Sequence, residues 1–435
     1  MKGTSPCGDS AGISTTVTVN PSATAPTAIT GIETSYCAGD AITLTASGGI
    51  GTTYQWGTGA TIGNNIISGA TAASISVSPS STTTYWVRRQ NTSPCSGVTS
   101  GVTKTITVLP TPGDPAVFGT NEWNVYGYNS GGNSNPSDYR GYYVQNLGSN
   151  AGIDTKVKWS ASTSPSAATD WQGCPVNNDG FTMVHKRKGF PCGRYNIAFT
   201  YYDEDTVVII TDATGTTSTL NFTGSYNGGV GLSQPINGST TYALDANSTI
   251  EIRTTDITSS SEAKLGITIT GASTSIYNGT WNQEASYTDI EIQSDYNLPA
   301  DITVCTCTVV DGKTFTVPAN KTLTVIGNTT AVGTGKFIIE NNGGFVQVND
   351  NSTYTGVPTS FTSKRQTQSV YRYDITYWSS PVENFVLKNV SPLTLFDKFF
   401  SWNSNTQAWT PHKTNVAANL LEIMGTGKGY SIRAP

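Results

Sequence analysis

The sequence predicts an all-β protein of several domains, and three observations lead to this prediction. Charged residues make up only 12% of the chain, and glycine contributes 45 of its 435 residues. Threonine and serine alternate with apolar residues in short runs, whereas long helix-forming stretches of Leu, Ala, Glu and Lys are missing. A single hydrophobic core rarely grows beyond about 250–300 residues. The length of the chain therefore predicts three or four domains.

Charge and cysteine content narrow the classes of function. The formal net charge is −5 and the pI is near 5.1, so we expect no nucleic-acid partner. No run of about 18 apolar residues is present, and no transmembrane helix is predicted. The first ten residues contain no apolar signal core. Seven cysteines in a chain rich in Thr, Ser and Gly nevertheless indicate an oxidising, extracellular location.

A repeated motif at the N-terminus predicts that the chain is part of a longer protein. Ser5-Pro6-Cys7 and the strand-like run after it reappear as Ser93-Pro94-Cys95 and the run that follows. We therefore expect residues 1–20 to be the last strand of a preceding copy of the domain at 21–110. Cys7 would then be unpaired within this chain, with its partner upstream. The alternative is a free N-terminal tail with a coincidental match.

Residues 21–110 predict a β-sandwich, because short alternating runs are separated by Gly, Ser and Pro turns. Cys37 and Cys95 are placed to form a disulfide, with Trp56 filling the core. The pattern resembles the immunoglobulin-like repeats of secreted bacterial surface proteins, which implies a spacer without chemistry. Tyr85 does not lie two residues before the second cysteine, as it does in antibody domains. The disulfide could therefore join a strand end to a loop instead.

The stretch 173–208 is central to the next predicted domain, which spans 116–272 after a stiff proline-rich linker at 109–115. It contains two cysteines, a histidine, a basic run and the chain's compact acidic cluster. Asn178-Asp179-Gly180 predicts a turn that tolerates positive φ. Cys174 and Cys192 flank this turn and are placed to staple it.

The order of motifs in 116–272 resembles the lectin-like β-sandwich named after anthrax protective antigen and shared with yeast flocculin adhesins. The motifs are Trp-x-x-Tyr from Trp123, Tyr-Arg-Gly-Tyr-Tyr from Tyr139, Trp-Gln-Gly-Cys from Trp171, and Gly-Phe-Pro-Cys-Gly-x-Tyr from Gly189. An acidic cluster then follows. The resemblance implies that adjacent acids hold a Ca²⁺ ion that also binds sugar hydroxyls, since Ca²⁺ takes 6–8 oxygen ligands. The matching positions here are Asp203, Glu204 and Asp205.

A structural interpretation of the same acids stays open, because the family's paired aspartates are replaced by an Asp-Glu-Asp string. The acids would then be solvated at a strand entry or would form ion pairs with nearby basic residues. His185 lies beside a basic run, and we expect a surface strand residue there rather than a catalytic base. The candidate basic partners are Lys186, Arg187, Lys188 and Arg194.

Residues 288–352 predict a short parallel β-helix or solenoid, with an antiparallel sandwich as the alternative. A unit of Gly or Asn followed by Lys-Thr-apolar-Thr-Val repeats almost verbatim at Gly312 and Asn320, as expected for stacked coils. Cys305 and Cys307 lie two apart on one predicted strand and so share a face. We expect buried thiols or a local disulfide there, because a zinc site would need further ligands.

Residues 353–435 are dense in aromatic side chains and predict a small β domain that caps the last coil. The runs from Asp374, from Ser391 and from Gly427 resemble a module of very large Bacteroidota surface proteins exported by type IX secretion. In those proteins the module follows β-helical segments.

These observations favour a non-catalytic extracellular adhesin that acts in surface attachment or gliding motility. Its expected partners are glycans or external surfaces, neighbouring repeats of the same chain, and outer-membrane secretion or anchoring machinery. Ca²⁺ is the one expected cofactor. A ligand-free surface filament is one alternative. A glycan-degrading β-helix enzyme is another, but it needs two positioned carboxylates, and the solenoid acids form no recognisable pair. These acids are Glu291, Asp295, Asp301, Asp311, Glu340 and Asp350.

Overall fold

The chain folds into two compact units of β-strands. The first comprises Met1–Pro191 and Tyr195–Thr270, and the second comprises Cys192–Arg194 and Gly271–Pro435. The helices among the described residues are 3₁₀ turns of three or four residues, and none of them is long or apolar enough to cross a membrane. The all-β, multidomain fold class is confirmed. The computed structural model describes residues 6–8, 11–19, 21–30, 35–92, 96–109, 112–130, 138–148, 151–160, 163–203, 205–227, 233–256, 264–414 and 421–435.

The first unit begins with a β-sandwich of two sheets. One sheet has the order β1-β3-β5, and the other has the order β2-β7-β6-β4. Apolar residues alternate along these strands and meet between the sheets around Trp56, which is fully buried as predicted. The strands are β1 (Ala28–Thr30), β2 (Ser35–Cys37), β3 (Ile42–Ser47), β4 (Thr53–Thr58), β5 (Ser74–Val77), β6 (Thr83–Asn91) and β7 (Gly97–Leu109).

The segment 11–19 precedes this sandwich and forms no strand. Its apolar side chains Ile13, Val17 and Val19 are each more than three-quarters exposed. These residues belong to the predicted last strand of a preceding domain, and that assignment stays a prediction.

The second sandwich of the first unit has a large sheet of order β12-β10-β9-β13-β20-β15-β16, with β8 beside β13. The facing sheet has the order β11-β21-β14-β17, with β18 and β19 also paired to β14. The strands are β8 (Gly119–Thr120), β9 (Trp123–Tyr128), β10 (Tyr139–Gln145), β11 (Ile153–Asp154), β12 (Gln172–Gly173), β13 (Thr182–Lys188), β14 (Gly193–Tyr202), β15 (Thr206–Thr211), β16 (Thr217–Phe222), β17 (Tyr226–Asn227), β18 (Gln234–Pro235), β19 (Tyr242–Leu244), β20 (Thr249–Thr255) and β21 (Leu265–Gly271). Two 3₁₀ turns, Thr155–Val157 and Pro165–Ala167, lie between β11 and β12.

Strand β13 is central to the large sheet and is antiparallel to both of its long neighbours. Five of its residues pair with β9 and all seven pair with β20. Because strand side chains alternate between faces, Met183 and His185 point into the core together with Val125 and Ile252 of the neighbouring strands. The charged side chain of Lys186 points to the other face, where it meets Glu251.

The proline-rich segment after β7 lies against the outer face of this sheet rather than running free between domains. Tyr139 donates its hydroxyl proton to the carbonyl of Pro112 (2.7 Å), and Tyr126 donates to the carbonyl of Val117 (2.7 Å). Lys186 Nζ donates to the carbonyl of Pro115 (2.8 Å). Three side chains from the sheet therefore hold this connection in place.

The second unit begins with a three-sided parallel coil. Its sheets have the orders β22-β23-β26-β29-β32, β24-β27-β30-β33 and β25-β28-β31, and every pairing is parallel. The strands are β22 (Ser275–Tyr277), β23 (Asp289–Ile292), β24 (Tyr296–Asn297), β25 (Ile302–Val304), β26 (Thr306–Val309), β27 (Thr314–Val317), β28 (Thr322–Val325), β29 (Thr329–Ala331), β30 (Lys336–Ile339), β31 (Gly344–Gln347), β32 (Tyr354–Thr355) and β33 (Phe361–Ser363).

The repeated Thr-apolar-Thr-Val unit explains the interior of the coil. In β27 and β28 the apolar residues point inwards and are fully buried, while the threonines lie at intermediate exposure. Phe315 stacks above Phe337 of the next coil with ring centroids 5.8 Å apart. The two copies of the unit therefore lie on different sides of the coil, because β27 and β28 belong to different sheets. Each turn of the coil buries its apolar side chains on those of the next turn.

A four-stranded antiparallel sheet of order β34-β37-β35-β36 follows the coil. Leu387, Phe399 and Ile432 form the centre of its small core. Several aromatic side chains of this region are exposed instead, including Tyr371 at 84% and Tyr377 at 74%. Only part of the aromatic residues in this region therefore contribute to its core. The elements are β34 (Ile375–Trp378), a 3₁₀ turn (Leu387–Val390), β35 (Phe399–Asn403), β36 (Ala408–Pro411) and β37 (Tyr430–Arg433).

Candidate functional site

The first feature of functional interest is a disulfide between Cys37 and Cys174, whose Cα atoms are 5.9 Å apart. It joins the first sandwich to the second. The prediction that Cys37 pairs with Cys95 is therefore wrong, and Cys95 itself lies outside the described residues. Cys37 pairs in register with Leu109, the last residue of the 13-residue strand β7. Strand register therefore places Cys37 next to the second sandwich.

The predicted staple between Cys174 and Cys192 is wrong, because the extended strand β13 runs between the two cysteines. Its seven residues at about 3.3 Å each span roughly 23 Å, whereas bridged cysteines need Cα atoms within about 7 Å. Cys192 pairs instead with Cys305, with Cα atoms 5.5 Å apart. Both cysteines belong to the second unit.

Cys305 and Cys307 also differ from their predicted arrangement. Cys305 lies at the corner between β25 and β26, which belong to different sheets, so the two cysteines do not share one strand face. Cys307 is a fully buried thiol in the coil interior, and burial raises its pKa. Cys7, at the other end of the chain, is exposed.

An ion pair reinforces the disulfide between the two sandwiches. Arg140 Nη1 lies 2.7 Å from Asp40 Oδ1, and the arginine side chain is only 15% exposed. The backbone N–H of Cys174 donates to the carbonyl of Arg140 (2.8 Å). Gly173 permits this approach, since a Cβ there would lie 2.3 Å from that same carbonyl oxygen and φ is +133°. A disulfide and an ion pair thus join the two sandwiches, and the backbone hydrogen bond keeps Cys174 beside Arg140 within the second sandwich.

The second feature is the acidic connection between β14 and β15, which crosses from one sheet of the second sandwich to the other. Asp203 and Asp205 are partly exposed there, and Glu204 lies outside the described residues. The backbone N–H of Asp203 donates to the carbonyl of Lys264 (3.0 Å). Asp205 accepts a long hydrogen bond at Oδ1 from the N–H of Gly224 (3.4 Å).

Lys264 and Lys156 add positive charge at this end of the sandwich. Burial lowers the pKa of Lys264, the positive charge of Lys156 lowers it further, and Asp203 opposes both effects. Lys156 Nζ lies 3.7 Å from the centre of the Tyr201 ring, and the Tyr201 hydroxyl donates to Asp154. Burial raises the pKa of Tyr201, and its hydrogen bond to Asp154 raises it further. This end therefore combines carboxylates, ammonium groups and a phenol.

Three of the four basic residues predicted as partners of these acids contact other groups. Lys186 lies 3.4 Å from Glu251, and Lys188 is exposed at the end of β13. Arg187 is buried and donates to the carbonyl of Gly189 (3.3 Å). Arg194 Nη1 donates to the hydroxyl of Ser286 (3.2 Å). The prediction of ion pairs between these residues and the acids is therefore not supported by the described contacts.

His185 is fully buried in the core, so the prediction of a surface residue is wrong. Neither of its ring nitrogens has a hydrogen-bond partner among the described residues. Burial lowers its pKa to about 3, and the ring is neutral at ordinary pH. The apolar alternation of Phe181 and Met183 with position 185 was the signal that predicts this burial.

The donor set for a cation is incomplete in the described part of the chain, where no three His, Cys, Asp or Glu side chains come together. Sequence reasoning missed Lys264, Lys156 and Tyr201, which surround the acidic connection. Lys156 and Lys264 are distant from Asp203 along the chain, so only tertiary structure brings them to this end, whereas Tyr201 lies just before Asp203 in the sequence.

The carboxylates of the solenoid act mainly as hydrogen-bond acceptors between coils. Asp295, Asp301 and Asp311 each accept the backbone N–H of a threonine in the next coil at 2.7–2.9 Å. Glu340 forms an ion pair with Lys364 (2.7 Å). Glu291 accepts from the amide of Gln293, and Asp350 is exposed. Their arrangement follows the coil repeat.

Comparison with known families finds two matches. Residues 24–110 match a family described as an Ig-like domain, CHU_C associated. Residues 283–435 match a domain of unknown function, DUF8693, which spans both the coil and the sheet after it. No curated protein matches the chain. The first match fits the expected immunoglobulin-like repeat of Bacteroidota-type surface proteins. Together with the two disulfides, it indicates an extracellular or secreted protein.

Proposed function

We propose that this chain is a non-catalytic segment of an extracellular surface adhesin. The observation that carries the proposal is an Ig-like domain bonded covalently, through Cys37 and Cys174, to the sandwich that follows it. Disulfides of this kind persist in oxidising environments. Export by type IX secretion and a role in attachment or gliding extend the proposal along the resemblance to Bacteroidota surface proteins.

The second sandwich supplies the contact surface in this proposal. Its acidic connection lies where the chain crosses between sheets, so Asp203 and Asp205 are at an end of the sandwich and partly exposed. Loop ends of a rigid sandwich are common binding surfaces. Ca²⁺ accepts carboxylate and hydroxyl oxygens together, so the proposed ligand is a glycan diol held through Ca²⁺ at these acids.

The solenoid supports a role as a stalk. Three of its aspartates are committed to backbone N–H groups of the next coil, and the coil interior is apolar. Carboxylates that join coils are not available as the positioned acid and base that glycan hydrolysis requires. This favours the adhesin over a glycan-degrading enzyme.

We predict that the double substitution Asp203→Asn and Asp205→Asn abolishes Ca²⁺-dependent glycan binding. The wild-type chain should bind a subset of sugars on a glycan array in Ca²⁺, and lose at least ten-fold in signal when a chelator is added. With Ca²⁺ and with chelator alike, the double variant should give the low signal that the wild-type chain gives in chelator. Titration calorimetry with Ca²⁺ alone measures the ion directly.

Asp350→Asn is the matched control, since it removes an exposed carboxylate in the solenoid and should leave binding unchanged. Glycan binding that survives both chelation and the double substitution contradicts the Ca²⁺ site. A wild-type chain that binds no glycan or external surface contradicts the adhesin and favours a ligand-free surface filament. Polysaccharide turnover by the wild-type chain would instead favour the enzyme.

A further inference from the structure

The two disulfides follow one another along the chain without overlapping. Cys37–Cys174 closes a loop with a sequence separation of 137, and Cys192–Cys305 closes a second with a separation of 113. A covalent path from one terminus to the other can therefore pass through both disulfide bonds and bypass both loops. The segment 175–191 is the only stretch of backbone between the two crossings.

We propose that this chain is a tension-bearing element, in which the disulfides carry an end-to-end pull past both loops and concentrate it on strand β13. The inference rests on the proposed adhesin function, because attachment to an external surface is what would apply the pull. Neither closed loop can lengthen while its disulfide is intact. The backbone left to transmit force between the two crossings is the segment that contains β13.

Strand β13 is well placed to resist such a pull. Force would enter near Cys174 and leave near Cys192, at opposite ends of the strand, and would thus act along the strand axis. The strand is already extended and the hydrogen bonds of its antiparallel ladders lie perpendicular to its axis, so the pull would run along the backbone of β13 and would not open the ladders one bond at a time. Bonds to β9 and β20 flank the strand on both sides.

The neighbours of β13 are themselves protected by the disulfides. Strand β9 (Trp123–Tyr128) lies inside the loop closed by Cys37–Cys174, and β20 (Thr249–Thr255) lies inside the loop closed by Cys192–Cys305. Neither neighbour can be drawn out while the disulfides hold. Sliding of β13 must therefore break two ladders at once and also pull buried Met183 and Arg187 out of the core.

The test is single-molecule stretching of the full 435-residue chain between terminal peptide tags, with and without reductant. An extended chain gains at most about 3.5 Å per residue. The extension of the oxidised chain should therefore fall short of the full contour length by about 48 nm for the first loop and about 40 nm for the second. Reductant should restore both lengths. Cys37→Ser with Cys174→Ser should restore only the longer increment, and Cys192→Ser with Cys305→Ser only the shorter.

An oxidised chain that extends to the full contour length without reductant overturns the proposal. So does an oxidised chain in which the segment between Cys174 and Cys192 yields at lower force than the coils after Cys305. The measurement needs no ligand, so its result is independent of glycan binding. If the extension falls short by both lengths but the chain binds no glycan or external surface, the adhesin function is contradicted and the proposed route of force through the disulfides is still supported.

Discussion

The two histidines of this chain are both buried, but their surroundings differ. His185 lies in the core of the second sandwich at 0% exposure, and neither ring nitrogen has a hydrogen-bond partner among the described residues. His412 lies in the sheet after the coil at 8% exposure. Its Nε2 is 2.8 Å from Ser401 Oγ and its Nδ1 is 2.5 Å from Glu422 Oε1. One imidazole is buried among apolar side chains, and the other is buried with polar partners.

This difference follows from the elements that carry each ring. His185 is on the inner face of a central strand, between Val125 and Ile252 of the adjacent strands. His412 directly follows the edge strand β36, where the chain can still bring a carboxylate beside it. A buried polar group without a partner destabilises a fold, whereas a satisfied group helps to specify it. The second sandwich and the terminal sheet should therefore respond differently to acid and to substitution.

The largest expected effect is acid destabilisation of the second sandwich through His185. Its pKa is about 3 in the folded chain and about 6.5 when unfolded, so the unfolded state binds the extra proton below pH 6.5. The free energy of unfolding should fall by about 1.4 kcal/mol for each pH unit between 6.5 and 3. Scanning calorimetry at pH 7 and pH 4.5 measures this loss.

His185→Leu is the variant that isolates this effect, because leucine fills a similar volume and cannot titrate. Between pH 7 and pH 4.5, the free energy of unfolding of this variant should fall by about 3 kcal/mol less than that of the wild type. His412→Leu should retain the wild-type acid response of the second sandwich. Parallel pH profiles for the wild type and His185→Leu would show that the imidazole is not the source.

His412→Leu should destabilise the four-stranded sheet after the coil by a smaller amount, about 1–3 kcal/mol at pH 7. The substitution leaves the Glu422 carboxylate and the buried Ser401 hydroxyl without the imidazole. Hydrogen exchange of peptides that cover β35 and β36 measures the local free energy of opening. Glu422→Gln is the matched variant, since it keeps a hydrogen-bond acceptor and should cost less. Equal exchange in His412→Leu and the wild type would contradict the role of this pair.

The contrast between the histidines also shows which parts of the structure could be predicted from sequence. The coil was predictable, because each repeat places apolar residues such as Phe315 and Leu323 at alternate positions of a short strand. That information is local and is repeated. The sandwich strand at 182–188 contained a similar signal at Phe181, Met183 and position 185, but the adjacent basic run favoured a surface assignment instead.

Disulfide pairing and the acidic end of the sandwich could not be derived in this way. The partner of Cys37 depends on the register of β2 beside the end of β7, and on the connection that brings the second sandwich to that end. Cys174 and Cys192 are close in sequence, yet an extended strand separates them. Lys264 reaches Asp203 only through the pairing of β21 with β14. Contacts of this kind are set by tertiary topology, which local patterns do not contain.

The smallest expected effect is that of His185→Leu at pH 7, where the imidazole is already neutral. The substitution removes two buried nitrogen atoms that have no described partner and nearly conserves the core volume, so it should stabilise the second sandwich by up to about 1 kcal/mol. Urea unfolding at pH 7 measures the change. Met183→Ala on the same inner face is the reference for lost packing and should cost about 2–5 kcal/mol. If His185→Leu destabilised the sandwich by a comparable amount, the imidazole would be making a stabilising polar contact, and the contrast with His412 would fail.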